Sequence, residues 1–406
     1  MTAAPVKSES EIVFTHDKEY VMGTYLRYPV LFVRGEGVFL YDSLGQEWLD
    51  FLAGIAVVQV GHCHPRIAQA IAQQASTLMH ISNLFHNPLQ ARLAERLCKL
   101  TDMEKVFFCN SGAEANECAI KIARKWGKQQ RGNSCYEIIT FHGSFHGRTL
   151  GAVTATAQPK YQESFAPLMP GFRYLPLNDI EALKSAVTEQ TCAVMLEPIQ
   201  GESGVNLATA EYLAAVRELC TQRNVLLILD EVQCGTGRTG KFLGSQSVGV
   251  DGDVITLAKG IADGFPMGAC MARGTAATTL VPGDHGSTFA GQPLACAAAL
   301  ATLDVIEEEK LMQNAAHVGS YFKSCLQKLQ AELPGRIQEV RGRGLMIGVQ
   351  LAKPEAKAVY SSMMEQRIIA NAVGDSILRF VPPLVVNESH CDRVITALKN
   401  ALVSLA

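Results

Sequence analysis

The spacing of hydrophobic and polar positions changes several times along the chain. Between residues 30 and 51, short apolar runs are separated by turn residues at Gly35–Gly37 and Asp42–Gly45, which predicts a hairpin-rich start. From Arg66 the apolar residues recur at helical spacing, first in RIAQAIAQQASTLMH and then in LQARLAERLCKL. The N-terminal part is therefore predicted to pass from strands to helices near residue 65.

Short continuous apolar runs then alternate with amphipathic stretches. The predicted strands are KVFFCN, YEIITF, CAVMLEPI, NVLLILDE and DVITLA, and the helices between them include AEANECAIKIARKWGKQQ and AEYLAAVRELCTQR. Aliphatic and β-branched runs separated by helices indicate a mostly parallel sheet covered on both faces.

The C-terminal part follows another pattern. One long helical stretch is predicted from Pro293 to about Ala331, and IQEVRGRGLMIGVQL is predicted to form an antiparallel strand pair. A helix near Pro354–Gln366, the run SILRFVPPLVV and a terminal helix complete an α+β unit.

The length of 406 residues predicts two or three domains, at about 100–200 residues each. We expect an N-terminal segment with strands that is part of the small domain (1–65), a large domain (66–305) and a C-terminal small α+β domain (306–406). Apolar residues make up 48% of the chain and charged residues 18%, which suits a large core and excludes a disordered or collagen-like chain.

Charge and cysteine usage narrow the class of protein further. Lys and Arg number 36 against 39 Asp and Glu, so the formal net charge of −3 argues against a nucleic-acid partner. The 12 cysteines are scattered, without a C-x-x-C pair, which favours a reducing compartment. The sequence shows neither a signal-peptide pattern nor an apolar stretch long enough to span a bilayer. We therefore expect a cytoplasmic protein with no membrane partner.

The stretch from Val225 to Lys241 contains a nucleotide-binding pattern that fails in detail. GTGRTGK fits G-x-x-x-x-G-K and follows a strand that resembles a Walker B strand. A P-loop needs Ser or Thr after its Lys to hold Mg²⁺, and here Phe242 follows. The strand also precedes the loop, which reverses the usual order. A Gly-rich loop after a buried strand is the favoured interpretation, and a P-loop NTPase is kept as the alternative.

Two residues at predicted strand ends carry candidate chemistry. Asp230 ends the apolar strand VLLIL, at the edge where ligands of open α/β sheets bind, so its carboxylate is either a ligand contact or a helix cap. Lys259 follows DVITLA and precedes the Gly- and Pro-containing segment GIADGFPMGA. A desolvated lysine in such a place can carry out Schiff-base chemistry, whereas an isolated lysine is more often an ordinary surface residue.

Two loops add a phosphate site and a stacking surface. Asn110–Asn116 lies between a strand and a helix start whose free N–H groups suit a phosphate, with a plain capped helix as the alternative. FHGSFHGRT (Phe141–Thr149) offers an aromatic plane and Arg148, while its two histidines lack a carboxylate or cysteine at ligand spacing, so we expect no metal. Together, these features match the requirements of pyridoxal phosphate.

The sequence resembles the class III (subgroup II) pyridoxal-phosphate aminotransferases over nearly its whole length. The resemblance is carried by TYLRYPVLFVRGEGVFLYD, LDFLAGIAV, GHCHP, NSGAEANE, FHGRT, EPIQGESGV, LLILDEVQCGTGRTG, LAKGIADGFPMGA, HGSTFAGQPLAC, VRGRGLMIG and RFVPPLVV. It implies an α/β protein of fold type I, with a mostly parallel mixed sheet covered by helices in the large domain and a smaller α+β domain. It also implies a homodimer with shared active sites.

The resemblance further implies a role for individual residues at the cofactor. Lys259 would be the Schiff-base lysine and general base, and Asp230 would keep the pyridine nitrogen protonated. The other implied cofactor contacts are Gly112 and Ala113 at the phosphate, Phe145 and Val232 on the two ring faces, Gln233 at the phenolic oxygen, Glu231 beside Asp230, and Thr288 from the other subunit.

The implied reaction moves the δ-amino group of N2-acetylornithine to 2-oxoglutarate, in arginine biosynthesis. The implied substrate contacts are Arg148 for a carboxylate, Arg379 for the α-carboxylate of glutamate or 2-oxoglutarate, Glu202 as the partner of Arg379 when an ω-amino donor is bound, and Ser287 and Tyr25 near the substrate. Ornithine, succinylornithine and 4-aminobutyrate are alternative donors, although GTYLRYPV favours N2-acetylornithine. A non-catalytic binding protein of the same fold is a further alternative.

Several positions differ from the residues common in that family. Ala113 replaces Thr, Asp263 replaces Gly, and Val58 and Gln59 lie where Asn is frequent, close to the expected substrate entrance. Phe289 and Gln292 also depart from the usual pattern. These differences bear on the choice of substrate and leave the core chemistry in place.

Overall fold

The computed structural model describes residues 8–405. Its strands are β1 (Phe32–Glu36), β2 (Phe39–Asp42), β3 (Glu47–Asp50), β4 (Lys105–Cys109), β5 (Glu137–Phe141), β6 (Phe172–Leu175), β7 (Thr191–Leu196), β8 (Ile199–Gln200), β9 (Asn206–Leu207), β10 (Leu226–Asp230), β11 (Val254–Leu257), β12 (Gly268–Ala272), β13 (Ile337–Arg343), β14 (Met346–Leu351), β15 (Ile368–Ile369), β16 (Asn371–Val373) and β17 (Ile377–Phe380).

The helices separate and cover these strands. They are α1 (Glu9–Tyr20), α2 (Ala53–Ala56), α3 (Pro65–Thr77), α4 (Pro88–Thr101), α5 (Gly112–Arg131), α6 (Leu150–Ala155), α7 (Pro159–Gln162), α8 (Ile180–Ala186), α9 (Ala210–Arg223), α10 (Pro293–Glu308), α11 (Leu311–Glu332), α12 (Ala356–Glu365) and α13 (Glu388–Ser404). The four-residue α2 is a turn in which Gly54 and Ile55 have left-handed φ angles of 61° and 68°. None of the helices in residues 8–405 combines the length and the apolar character that spanning a bilayer requires.

A seven-stranded mixed sheet in the order β4-β12-β11-β10-β7-β5-β6 forms the centre of the fold. The pairs from β11 to β6 are parallel, whereas β12 runs antiparallel to both β4 and β11. Strands β7, β10 and β11 are buried along their whole length. The predicted α/β fold with a mostly parallel, doubly covered sheet is confirmed.

Alternate residues of one strand pack into different hydrophobic cores. On β10, Leu227 and Leu229 belong to one core cluster, while Leu226 and Ile228 belong to a second cluster together with residues of α5. This division follows from the geometry of a β-strand, in which successive side chains point to opposite faces of the sheet. Helices therefore cover both faces of the central sheet.

The two ends of the chain share a separate hydrophobic core. Strand β15 pairs in parallel with β3 in the four-stranded sheet β1-β2-β3-β15, and β13-β14-β17-β16 form another sheet beside it. The shared core contains Leu49 and Phe51 from the start of the chain and Phe322, Phe380 and Leu398 from its end. The domain boundaries at residues 65 and 305 stay a prediction.

The helical stretch predicted from Pro293 to about Ala331 consists of two helices. Helix α10 ends at Glu308, and α11 begins at Leu311 after Lys310, which has a left-handed φ of 54°. A left-handed residue cannot continue a right-handed helix, so the chain changes direction there. The prediction of one continuous helix was wrong at this point.

Phe322 on α11 is expected to be one of the main contributors to the stability of the shared core. It has no exposed surface, and its ring makes edge contacts to Phe51 and Phe380 with centroid separations of 5.4 Å. Phe322→Ala should lower the free energy of unfolding by about 3–5 kcal/mol, because it removes these contacts and leaves a cavity. Urea unfolding followed by circular dichroism measures the change.

Lys328 lies on the exposed face of the same helix and provides the control. Lys328→Ala should change the free energy of unfolding by no more than about 0.5 kcal/mol. A loss for Phe322→Ala that equals the loss for the control would contradict the packing described here.

Candidate active site

A cavity of about 400 Å³ lies at the carboxyl ends of the central strands. Residues at the ends of β4, β5, β7, β10 and β11, or within four positions after them, line it, and they include Asn110, Phe145, Glu197, Asp230 and Lys259. Because parallel strands present their carboxyl ends at one edge, residues far apart in sequence meet there. Asp230 and Lys259, selected from the sequence for their place at strand ends, both line this cavity.

The start of α5 forms one wall of the cavity. Its N-cap is Ser111, whose side chain accepts a hydrogen bond from the N–H of Glu114, and Gly112 and Ala113 line the cavity beside it. A Cβ atom on Gly112 would lie 2.7 Å from Val232, so glycine is required for this close packing. The first N–H groups of a helix have no partner within the helix and favour an anion such as a phosphate.

The Asp230 carboxylate is buried and held in one orientation. Its Oδ2 accepts a hydrogen bond from Asn116 Nδ2 at 2.7 Å and lies 2.7 Å from His146 Nδ1, while Oδ1 accepts the N–H of Val232 at 3.0 Å. Asn116 is fixed in turn by the Thr256 hydroxyl, which donates to its Oδ1 at 2.8 Å. Sequence reasoning selected Asp230 but neither of the side chains that orient it.

Lys259 reaches the cavity from a short turn that begins at the lysine itself. The residue has a left-handed φ of 49°, and its side chain is only one-fifth exposed. Burial lowers the pKa of Lys259, against the opposing effect of Glu202, whose carboxylate lies 3.9 Å from Nζ. A lowered pKa increases the fraction of neutral amine, which is the form that attacks a carbonyl carbon.

Glu202 lies between Lys259 and a buried arginine. Its Oε1 accepts hydrogen bonds from Arg379 at 2.7 Å and from the Gln233 amide at 2.8 Å. Arg379 is 1% exposed and also donates to Asn371 Oδ1 at 3.0 Å. Burial alone would raise the pKa of Glu202, but the positive charges of Arg379 and Lys259 lower it to about 2. Glu202 is therefore ionised at neutral pH.

Phe145, Glu197 and Arg148 lie on the other side of the cavity. The Phe145 N–H donates to Glu197 Oε2 at 2.9 Å, which fixes the position of the aromatic residue. Burial raises the pKa of Glu197 well above its ordinary value, and the negative charge of Asp230 adds to the shift. Arg148 is exposed at the rim, with its guanidinium 3.9 Å from the centre of the Tyr161 ring. Glu197 was not selected from the sequence.

The assignment of Glu231 to the cofactor has to be corrected. Its carboxylate is fully buried and accepts hydrogen bonds from the N–H groups of Gly244 and Ser245, both at 2.8 Å, and from Cys234 Sγ at 2.9 Å. It is absent from the lining of the cavity. Glu231 thus stabilises the loop that follows β10 and has no oxygen directed to a ligand.

Five other predicted site residues are absent from the lining of this cavity. Glu202 and Arg379 adjoin it through their contacts with Lys259 and Gln233, and the other three are Tyr25, Ser287 and Thr288. Tyr25 is 75% exposed, and Thr288 is also exposed. Ser287 lies closer to the cavity, because its hydroxyl is 3.1 Å from Nδ2 of Asn110, a lining residue. The structure therefore brings Ser287 to the rim and leaves Tyr25 and Thr288 apart from the site.

The GTGRTGK loop has the geometry of a structural link. Lys241 is exposed, and the residues after it form turns and no α-helix. Arg238 is fully buried and donates hydrogen bonds to the carbonyl oxygens of Leu345 and Pro382 and to the Gln59 side chain. The loop thus joins the central sheet to the C-terminal unit, and the P-loop alternative is not favoured. Among residues 8–405, no group of three His, Cys, Asp or Glu side chains is placed to hold a metal ion.

Comparisons with known proteins agree with this geometry. Residues 21–402 match the family described as Aminotransferase class-III. The acetylornithine aminotransferase of Caldanaerobacter subterraneus subsp. tengcongensis is 48% identical over 96% of this chain and 99% of that protein. The acetylornithine aminotransferase of Methanocaldococcus jannaschii is also 48% identical, over 96% of this chain and 97% of that protein.

Solved structures of aminotransferases resemble this chain over its whole fold. The ornithine aminotransferase from Toxoplasma gondii ME49 superimposes with a TM-score of 0.94 at 34% identity and covers 98% of this chain and 96% of its own. The acetylornithine aminotransferase from Elizabethkingia anophelis superimposes with a TM-score of 0.88 at 33% identity, over 98% of this chain and all of its own.

Proposed function

Because the chain belongs to the class III aminotransferases, we propose that it moves the δ-amino group of N2-acetylornithine to 2-oxoglutarate, giving N-acetylglutamate 5-semialdehyde and glutamate. The donor is supported by the acetylornithine aminotransferases that match nearly the full chain at 48% identity. This reaction places the protein in arginine biosynthesis. The cofactor of the family is pyridoxal phosphate, and a structurally similar ornithine aminotransferase from Toxoplasma gondii shows partial occupancy of it at the active site.

The residues around the cavity fit this cofactor. The helix start at Gly112 suits the phosphate, and the oriented carboxylate of Asp230 suits a protonated ring nitrogen. Val232 and Phe145 line the cavity as candidates for the two faces of the ring. When bound, the cofactor supplies an electron sink for the negative charge left when a proton leaves the amine-bearing carbon.

Lys259 is the candidate general base of this reaction. Its Nζ would take the proton from the δ-carbon of the donor, and burial, which lowers its pKa, favours the neutral amine that a base needs. General-base catalysis of this kind contributes about 10²–10⁴-fold to the rate. Asp230, oriented by Asn116 and His146, would hold the proton on the ring nitrogen.

The pairing of Glu202 with Arg379 is the main observation in support of a site that accepts two different substrates. With Glu202 paired to Arg379 at 2.7 Å, the arginine is neutralised and Lys259 faces no free cation. A terminal amine, whose reacting carbon bears no carboxylate, suits this state. Once the pair separates, the Arg379 guanidinium can bind the α-carboxylate of 2-oxoglutarate with two parallel hydrogen bonds. Arg148 is exposed and lines the same cavity, which makes it the candidate partner for the distant carboxylate of N2-acetylornithine.

The proposal includes a cytoplasmic homodimer with shared active sites. Thr288 lies two residues before Ala290, whose carbonyl oxygen accepts a hydrogen bond from Asn83 at 2.9 Å. This bond joins the loop that contains Asn83 to the loop that contains Thr288. Large apolar side chains in these loops are exposed: Leu84 (85%), Phe85 (65%) and Phe289 (57%). Exposed apolar patches mark interaction sites, and a second subunit would bury this one and bring Thr288 to the neighbouring cofactor. The 12 free cysteines support a reducing compartment.

A screen of single half-reactions tests the donor. The holoenzyme is mixed with N2-acetylornithine, ornithine, succinylornithine or 4-aminobutyrate without an acceptor, and loss of the visible absorbance of the bound cofactor is followed. N2-acetylornithine should react at least about tenfold faster than the others, the usual discrimination by a shaped pocket. Equal or faster reaction with another donor would reassign the substrate. A protein that stays colourless with added pyridoxal phosphate would overturn the aminotransferase itself and favour a binding protein.

A further inference from the structure

Asp263 forms a contact that the reaction described above does not use. The residue ends the short turn that begins at Lys259, and it has a left-handed φ of 46°. Its partly buried carboxyl Oδ1 accepts a hydrogen bond from the N–H of Val60 at 2.8 Å. A side chain four residues after the catalytic lysine is thereby bonded to the backbone of a distant segment.

The residue before Val60 makes a second contact with the same turn. A Cβ atom on Gly260 would lie 2.1 Å from Cγ of Gln59, so Gln59 packs directly on the residue next to Lys259. Gln59 is 1% exposed, its side chain accepts a hydrogen bond from Arg238, and its carbonyl oxygen accepts the N–H of Leu384 at 2.6 Å. Segment 57–60 is therefore fixed between the lysine turn and the C-terminal unit.

Each partner of the Asp263–Val60 hydrogen bond lies within three positions in sequence of a residue that lines the active-site cavity. Val57 lines it on one side, and Gly264, Phe265 and Pro266 line it immediately after Asp263. The bond consequently connects two walls of the cavity that are about 200 residues apart in sequence, at residues 57–60 and 263–266.

We propose that Asp263 is a positioning residue that holds segment 57–60 against the Lys259 turn and so sets the distance between the two walls at the substrate entrance. Its kinetic consequence rests on the proposed function, whereas the contact itself does not. Asp263 touches neither the cofactor nor the reacting atoms through any contact described here. It acts through Val57 on one side and Phe265 on the other.

Two substitutions of Asp263 form a matched pair, because one keeps the hydrogen-bond acceptor and the other removes it. Burial raises the pKa of Asp263 to about 7, against the opposing hydrogen bonds from the Val60 and Gln59 N–H groups and the nearby charge of His62. Much of the residue is thus a neutral acid at neutral pH, and Asn offers the same oxygen acceptor and tolerates the left-handed backbone. Gly removes the acceptor without backbone strain.

Hydrogen–deuterium exchange of the holoenzymes, read from peptides that cover residues 57–62, tests the contact directly. Asp263→Gly should exchange on the order of tenfold faster there, and its KM for N2-acetylornithine should rise by a similar factor, the effect of one lost hydrogen bond. Its kcat should change by less than about threefold, and Asp263→Asn should match the wild type in both measurements. Asp251→Asn, which removes an exposed carboxylate before β11, is the control for charge and should leave exchange unchanged.

Each other result overturns a stated part of the proposal. Wild-type exchange at 57–62 in Asp263→Gly would show that the carboxyl does not hold the segment. Faster exchange with an unchanged KM would show a structural contact without a positioning role. If Asp263→Asn is as defective as Asp263→Gly, the hydrogen-bond explanation is wrong. If the wild type prefers another donor, the proposed function fails, and KM for that donor then takes the place of the one named here.

Discussion

Replacement of Lys259 by alanine is expected to abolish transamination. The lysine lines the cavity with Asp230, its Nζ lies 3.9 Å from the Glu202 carboxylate, and burial lowers its pKa, which favours its action as base and nucleophile. Loss of the general base alone should lower kcat/KM for N2-acetylornithine by about 10²–10⁴-fold, and loss of the covalent attachment should remove the visible absorbance of the bound cofactor. Steady-state kinetics and an absorbance spectrum of the purified variant measure the two effects.

Lys241→Ala is the matched control for this variant. Lys241 is exposed on the GTGRTGK loop and should be replaceable without loss of activity or of the visible band. The same pair of variants distinguishes the reaction from nucleotide hydrolysis. Binding of Mg·ATP that is lost in Lys241→Ala and kept in Lys259→Ala would favour a P-loop NTPase, and turnover retained by Lys259→Ala would exclude the role assigned to this lysine.

Strands of the central sheet could be predicted where their composition is aliphatic. The runs that form β7, β10 and β11 are buried on both faces, and their largely apolar composition, without polar alternation, indicates this directly. Strand β12 (GACMA) was not predicted, because four of its five residues are small. A Cβ atom on Gly268 would lie 2.5 Å from the carbonyl oxygen of Ser111, so close packing against the start of α5 excludes the bulky side chains that mark a strand.

The residues of the site that could be predicted from the sequence are those at or near the carboxyl ends of strands. Asp230 and Lys259 follow from their positions at strand ends, whereas the partners of Asp230 do not. His146 is 84 positions away in sequence from Asp230 and was considered from the sequence only as a metal ligand. The role of Asn116 inside α5 depends on the same through-space contact. Pairings of this kind are fixed by tertiary packing, for which one sequence carries no local signal.

The wrong assignment of Glu231 has a simpler physical reason. Successive residues at the end of a strand point to opposite faces, so a carboxylate next to Asp230 is directed away from the ligand of Asp230. The observed hydrogen bonds to Gly244 and Ser245 follow this rule. Adjacency in sequence therefore argues against a shared ligand at this point of the fold.

Substitutions of Arg379 and Glu202 should affect the two half-reactions in opposite ways. Arg379→Leu removes the cation that binds the α-carboxylate of 2-oxoglutarate, and the loss of a buried charged hydrogen-bonding partner should raise KM for 2-oxoglutarate by on the order of 10²-fold or more. The half-reaction with N2-acetylornithine should be affected by less than about tenfold, because its reacting carbon bears no carboxylate. Single-turnover kinetics of each half-reaction separates these effects.

Glu202→Gln should act in the reverse direction, because it releases Arg379 from its partner at 2.7 Å. The half-reaction with glutamate should become faster relative to that with N2-acetylornithine, by roughly tenfold for one charged hydrogen bond lost. Since the pKa of Glu202 is held at about 2, the carboxylate that the variant removes is ionised above that pH. The ratio of the two rates in the wild type should therefore not change through titration of Glu202 between weakly acidic and alkaline pH. If both variants slow the two half-reactions equally, Glu202 does not select between the substrates, and the pair only stabilises the fold.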